Sequence, residues 1–372
     1  MKILIYLYYP FYEKHLAGGV QVWLKNLIRN IQSKNKNIKF QIVCPTGTMY
    51  EYPNDILVDH SLVDMEQDFL TPKIIYENFS KLKKYEKNSD LIWMIDRTFP
   101  INSKKPKLLS LNTLCYEREL MSIFQSNWDK MVVLTDFVKK QVEDYVNKSE
   151  LYEIPCYVDP IFLNFEKDTK ILDKYFKYNP KYKYILFPHR PDPAKGHITA
   201  INILKELIKN DSSYRLLIPL PPLAKQINVD RENESILQIK KYIRSQKLDN
   251  YVIFHKWIDY EDLPIYYYIG EYTLFLSKLP ETFGLTLLNS ISVGTPVLSY
   301  GVGALNEVVP TGNAHFNINT IEDAVKIINK GKNNCNIEDD KNYVCEKYNL
   351  NNISQSYIRL FEKLKEENNG KS

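Results

Sequence analysis

Two cations and one acid define the chemistry available to this chain. Arg190 and Lys195 stand in Phe187-Pro-His-Arg-Pro-Asp-Pro-Ala-Lys-Gly196, and Glu281 opens Glu281-Thr-Phe-Gly-Leu285. A guanidinium can grip a phosphate through two parallel N–H bonds, whereas an ammonium acts as a point charge. With Gly196 allowing close backbone approach, the pair suits a diphosphate. Taken alone, such a loop is more often a surface segment whose cations pair with nearby acids. Beside the Glu281 segment, the ligand reading prevails. Residues 275–307 end an apolar strand, place an acid and a glycine in the turn, begin an amphipathic helix, and reach a second strand after Gly294-Thr-Pro296. That is a βαβ unit with a polar site at its carboxyl end, where helix N-termini offer free N–H groups and a positive dipole end to anions.

Such a site must be positioned by parallel strands, and apolar runs of strand length recur. In the first half they fall at Lys2–Leu7, Phe40–Cys44, Leu91–Ile95, Lys107–Leu111 and Met131–Leu134. Between them, Trp23, Leu24, Leu27, Ile28 and Ile31 make one apolar helical face after Gly19, and a second helix is predicted after Thr135. The periodicity loosens between Asp159 and Tyr182 and restarts at Tyr184, which predicts an interdomain linker there. A second series follows, with a helix through Ile198–Ile208 and strands at Tyr214–Ile218, Tyr251–Phe254, Tyr272–Leu276 and Pro296–Tyr300. The alternation predicts an α/β fold of two Rossmann-like domains, 1–165 and 166–349. A last amphipathic helix buries Ile353, Tyr357, Leu360, Phe361 and Leu364, and its tail should fray.

The bulk numbers narrow the class. At 372 residues the chain exceeds what one core usually organises. With 44% hydrophobic and 25% charged residues it is globular, and 49 basic against 45 acidic residues give no support to nucleic-acid binding. The apolar opening is too short for a membrane span and lacks a signal cleavage site, so a cytoplasmic protein is expected, with the inner membrane face left open. Five cysteines, odd in number and without a C-x-x-C pair, predict reduced, mostly buried thiols. Lys104, Lys105 and Lys107 around Pro106 are read as a solvated loop in preference to a phosphate or peripheral membrane patch. His189 and His197 flank the phosphate loop and are read as structural, and Glu307 suits helix capping as well as ligand contact. A nicotinamide-dependent oxidoreductase would carry a full G-x-G-x-x-G; Gly18-Gly19 falls short of it.

Several motifs in order now make a family resemblance. They are the Gly18-Gly19 turn, Arg190 and Lys195 before Gly196, Val252–Phe254 with Trp257 and Asp262-Leu-Pro264, and the Glu281 block through Gly294-Thr-Pro296 to Glu307-Val-Val309. The chain resembles GT-B retaining glycosyltransferases, and is most similar to family 4, the group 1 glycosyl transferases. The resemblance implies two Rossmann-like domains facing each other across a cleft, the first for the acceptor, the second for a nucleotide-sugar donor, and a final helix, 350–372, packed back on the first. It implies transfer of a hexose-type sugar from a nucleoside diphosphate to a hydroxyl, as in glycan, glycolipid or natural-product assembly. The partners implied are a nucleotide sugar, UDP- or GDP-linked, and a saccharide, lipid-linked or small-molecule acceptor. Oligomeric state is left open.

Residue by residue, the resemblance makes Arg190, Lys195 and Glu281 the catalytic set: the cations stabilise the departing diphosphate and Glu281 holds sugar hydroxyls. Donor-binding positions are Gly18, Gly19, Phe254, Trp257, Thr282, Phe283, Gly284, Leu285 and Asn289. Asn112 and His15 would orient sugar or acceptor. The leaving phosphate accepts the acceptor's proton in this family, so no protein base is needed. No D-x-D occurs, and neither a cofactor nor an essential metal is expected. Two positions depart from the family pattern. Asn289 stands where a second, ribose-binding glutamate is usual, and Asn112 where a histidine is common. These departures motivate the alternatives, a catalytically degenerate GT-B binding subunit or a GT-B sugar-nucleotide epimerase.

Overall fold

In a computed structural model the chain is described for residues 1–11, 19–45, 55–62, 72–96, 101, 103–114, 120, 123–124, 128–220 and 229–370. It divides into two compact units, Met1–Tyr157 with Leu350–Ser372, and Val158–Asn349.

The first unit holds β1 (Lys2–Tyr6), α1 (Gly19–Lys34), β2 (Lys39–Pro45), β3 (Leu57–Leu62), α2 (Pro72–Glu86), β4 (Leu91–Ile95), β5 (Lys107–Leu111), β6 (Lys130–Val133), α3 (Asp136–Val142) and β7 (Leu151–Glu153). The strands form one parallel sheet in the order β3-β2-β1-β4-β5-β6-β7. β4 and β5 are buried along their whole length, as strands covered on both faces must be. β3 escaped the sequence reading because Leu57-Val-Asp-His-Ser-Leu62 is a largely exposed edge with one buried residue. Lys107 is a correction to the solvated loop. It opens β5, is 3% exposed, and its Nζ donates to the carbonyls of Ser103 and Lys105 at 2.9 and 3.1 Å.

The second unit holds β8 (Lys183–Leu186), α4 (His197–Leu207), β9 (Tyr214–Leu220), α5 (Val229–Ser245), β10 (Val252–Lys256), α6 (Leu263–Tyr268), β11 (Gly270–Phe275), α7 (Leu285–Ser292), β12 (Val297–Ser299), α8 (Leu305–Val308), β13 (His315–Asn317), α9 (Ile321–Lys330) and α10 (Ile337–Lys347). Its parallel sheet runs β10-β9-β8-β11-β12-β13. The chain enters at β8, steps outward to β9 and β10, then returns to lay β11 on the other side of β8. The strand order therefore reverses between β8 and β11, which is where open α/β sheets bind ligands. Residues 159–182 belong to this unit and are no free linker. Tyr260 Oη donates to Asp159 Oδ2 at 2.9 Å, and Tyr175 Oη to Asp262 Oδ2 at 2.6 Å.

The chain then re-enters the first unit as α11 (Leu350–Asn369). Its buried face is the predicted one, Ile353, Tyr357, Leu360, Phe361 and Leu364. Trp93 of β4 lies 5.1 Å from the Tyr357 ring and 5.3 Å from that of Phe361, centroid to centroid. Such aromatic packing against a central strand fixes this helix as part of the first core.

Candidate active site

Two loops at the switch point build the site, and glycine brings them together. The first follows β8. Asp192 caps the turn Pro193–Lys195 by accepting the Ala194 N–H at 2.8 Å, and Gly196 then hands the chain into α4 with φ +87°. A Cβ at Gly196 would meet the Leu276 carbonyl oxygen at 2.6 Å, just beyond β11. Both the left-handed backbone and the close contact therefore demand glycine. The second loop follows β11, and Lys278 N–H donates to the Ala194 carbonyl across the two at 3.2 Å. It ends at Gly284, φ +88°, which starts α7 in the same manner.

This approach lets Lys195 Nζ reach Glu281 Oε1 at 2.9 Å, both side chains about a quarter exposed at 28% and 25%. An ammonium and a carboxylate thus share one partly open spot. The N-terminal turns of α4 and α7 follow Lys195 and Glu281 directly, and first-turn N–H groups of a helix have no partner within it. Arg190 extends the positive surface. Its guanidinium lies 5.9 Å from the Trp257 ring, at the reach of a cation–π contact, with Trp257 just past β10. What these groups can do is hold a polyanion at the cations and helix N-termini and accept hydrogen bonds from hydroxyls at Glu281.

Neutral imidazoles underlie this surface. His189 and His197 are 7% and 2% exposed and pack on Phe187 at 5.0 and 4.7 Å. Burial, then the charge of Lys195 and His197, lowers the pKa of His189 to about 3. Burial lowers His197 to about 4. Both agree with the structural reading of these residues.

The other predicted positions separate. Thr282 and Leu285 are half-buried in the second loop and at the start of α7. Phe283 turns inward, 2% exposed, edge-on to Tyr348 at 5.2 Å, which leaves its backbone as the part available to a ligand. Asn289 is half-buried on α7. Phe254 packs onto the core cluster and lies under Lys240 of α5 at 5.5 Å, so it is Trp257, three residues on, that meets Arg190. Glu307 is the third residue of α8 and does not cap it; Ala304 holds that position. In the first unit, Gly19 begins α1 and Asn112 follows β5, 6% exposed, its N–H donating to Asp96 Oδ1 at 2.6 Å. Gly18 and His15 lie outside the described residues.

Sequence reading missed three supports. The Asp192 and Asp96 carboxylates accept backbone N–H groups and Gly303 permits close backbone approach, and Asp96 sits at φ +58°, which no residue pattern announces. Among the described residues no group of three His, Cys, Asp or Glu side chains could hold a metal ion, and no helix is long and apolar enough to cross a membrane.

Residues 168–349 match the family described as glycosyl transferases group 1. The second unit is a group 1 glycosyl transferase domain. The chain thus carries a glycosyltransferase family domain over that stretch, and its fold agrees. A glycosyltransferase from Rickettsia africae superposes with TM-score 0.77 over 98% of both chains at 17% identity. HepE of Anabaena, solved with UDP-glucose, gives 0.73 over 98% of this chain and 100% of its own at 14% identity. These identities speak for the GT-B fold alone. A Klebsiella pneumoniae protein, described as an uncharacterized 41.2 kDa protein in the cps region, is 22% identical over 94% of this chain and 98% of its own.

Proposed function

We propose that this glycosyltransferase moves a hexose-type sugar from a UDP- or GDP-linked donor to a hydroxyl acceptor, with retention of anomeric configuration and without an essential metal. The observation that carries the reading is the meeting of Lys195 and Glu281 at 2.9 Å on the two switch-point loops. In this reading the diphosphate takes Lys195, Arg190 and the N–H groups opening α4 and α7, while Glu281 accepts hydrogen bonds from sugar hydroxyls. The bond from C1 to the phosphate oxygen breaks as the acceptor oxygen bonds C1 on the same face, and the acceptor proton passes to the leaving phosphate. Fixed cations and helix dipoles stabilise charge where it develops, an effect worth about 3–4 kcal/mol per donor in comparable sites. That HepE was solved with UDP-glucose supports a nucleotide sugar as donor class.

The test is turnover of a panel of sugar nucleotides with saccharide and lipid-linked acceptors, reading nucleoside diphosphate release and the anomeric centre of the product by NMR. Retained configuration and unchanged rate in EDTA are expected. Inverted product, or release that depends on added divalent metal, would refute those parts of the proposal.

A further inference from the structure

Glu281 is held by its backbone as well as by Lys195, and the holder is a segment tied to one buried imidazole. Ala304 N–H donates to the Glu281 carbonyl at 2.8 Å, and Glu281 forms an isolated parallel bridge with Gly303. Gly303 has φ +73°, and a Cβ there would meet Glu281 N at 2.5 Å. Leu305, which opens α8 two residues on, lies so close over Gly284 that a Cβ on that glycine would collide with its side chain. Residues 303–305 therefore touch both ends of the Glu281–Gly284 loop.

Both ends of the surrounding segment lead to His315. At the start, Ser299 Oγ lies 2.7 Å from His315 Nε2 and accepts the Gly301 N–H at 3.0 Å. At the finish, His315 Nδ1 lies 2.8 Å from the Val309 carbonyl oxygen, just past α8. A carbonyl can only accept, so Nδ1 carries the proton and Nε2 accepts from the Ser299 hydroxyl. The ring is 0% exposed, and burial holds its pKa below the usual value, which favours this neutral form. No step of the proposed reaction uses it.

We infer that His315 is a positioning residue for sugar transfer: by joining Ser299 to Val309 it sets the 301–305 turn that clasps Glu281 and Gly284. The inference rests on the reading of Glu281 as the donor-sugar contact. Such contacts must be held within about 0.5 Å of the productive geometry, and a misplacement of about 1 Å costs up to roughly 100-fold in rate.

Three variants test it. Ser299→Ala cuts one tie at little change in volume, His315→Phe cuts both, and His315→Gln keeps an acceptor near Ser299. Hydrogen exchange of residues 281–309 and steady-state kinetics are measured on variants that remain folded, with UDP affinity read by calorimetry. Ser299→Ala and His315→Phe should speed exchange in 301–305 and lower kcat by about 10- to 100-fold, with UDP affinity and KM within about twofold of wild type. His315→Gln should recover most of the loss. Wild-type exchange and kcat in Ser299→Ala would overturn the inference, as would equal damage in all three variants without rescue by Gln. If wild type turns over no sugar nucleotide, the donor reading fails, and the exchange measurement alone still decides whether the clasp exists.

Discussion

The ion pair of Lys195 with Glu281 makes two ligands respond to one substitution with opposite sign. The charges meet at 2.9 Å with about a quarter of each side chain exposed. Coulomb's law gives about 1.4 kcal/mol at that separation in bulk water and about 6 kcal/mol at an effective dielectric of 20. Screening and side-chain entropy bring partly exposed pairs down to about 1 kcal/mol. A diphosphate that recruits Lys195 must draw it from Glu281, so the pair opposes that binding by a similar amount. Glu281→Gln keeps the shape and removes the charge, and UDP should then bind about fivefold tighter. A sugar nucleotide gains the same release but loses charged hydrogen bonds to its hydroxyls, worth about 1.5–3 kcal/mol. It should bind several-fold weaker than to wild type, and transfer should fall further. Calorimetry with UDP and UDP-glucose on wild type, Glu281→Gln, Lys195→Met and the double variant measures both signs and the coupling. UDP binding that weakens in Glu281→Gln, or a coupling near zero, would refute this account of the site.

Further outcomes concern the scaffold. Gly196→Ala should destabilise the second unit by about 2–4 kcal/mol, since it combines a left-handed backbone with a Cβ 2.6 Å from the Leu276 oxygen, and denaturant unfolding reads it. Phe361→Ala should cost the first unit about 3–5 kcal/mol, because the ring is wholly buried beside Trp93; hydrogen exchange in β4 reports the loss. Acid should loosen the second unit before pH 4. His189, His197 and His255 are lowered by burial to about 3, 4 and 4 from the usual 6.5, so each binds its proton more tightly unfolded than folded. Stability is full above about pH 6.5 and falls as pH drops toward those folded values, by about 2 kcal/mol per imidazole at pH 5. A flat unfolding midpoint between pH 7.5 and 5 would count against it.

Periodicity carried the parts of the fold that are buried on a regular lattice. The central strands and the apolar face of α11 read directly, because Trp93, Tyr357 and Phe361 obey the periods of strand and helix. It failed at β3 and β13, where exposure or shortness removes the pattern, and at residues 159–182, whose polar composition suggested a linker. There Asp159 and Tyr175 bond to the segment after β10 through side chains far apart in sequence. At the site, charge types at loop positions named Arg190, Lys195 and Glu281, yet the reason those loops touch is steric and lies in Gly196 and Gly303. A glycine's letter marks freedom to approach, without saying what it approaches.

That contrast bears on Asn289. In the proposed reading Glu281 and Lys195 owe their places to backbone: a capped turn, two left-handed glycines and the clasp of Ala304. Changing any of these strains the loop itself, so the catalytic set is held jointly. Asn289 stands apart as one half-buried side chain on the regular helix α7. A helix accepts Asn or Glu there with only a small difference in propensity. Asn289→Glu should therefore leave loop geometry intact and add a charged acceptor for ribose hydroxyls, where a charge-assisted bond is roughly twice as strong as a neutral one. Tighter UDP binding with unchanged kcat is the outcome expected if α7 tunes the nucleotide and the loops perform the transfer.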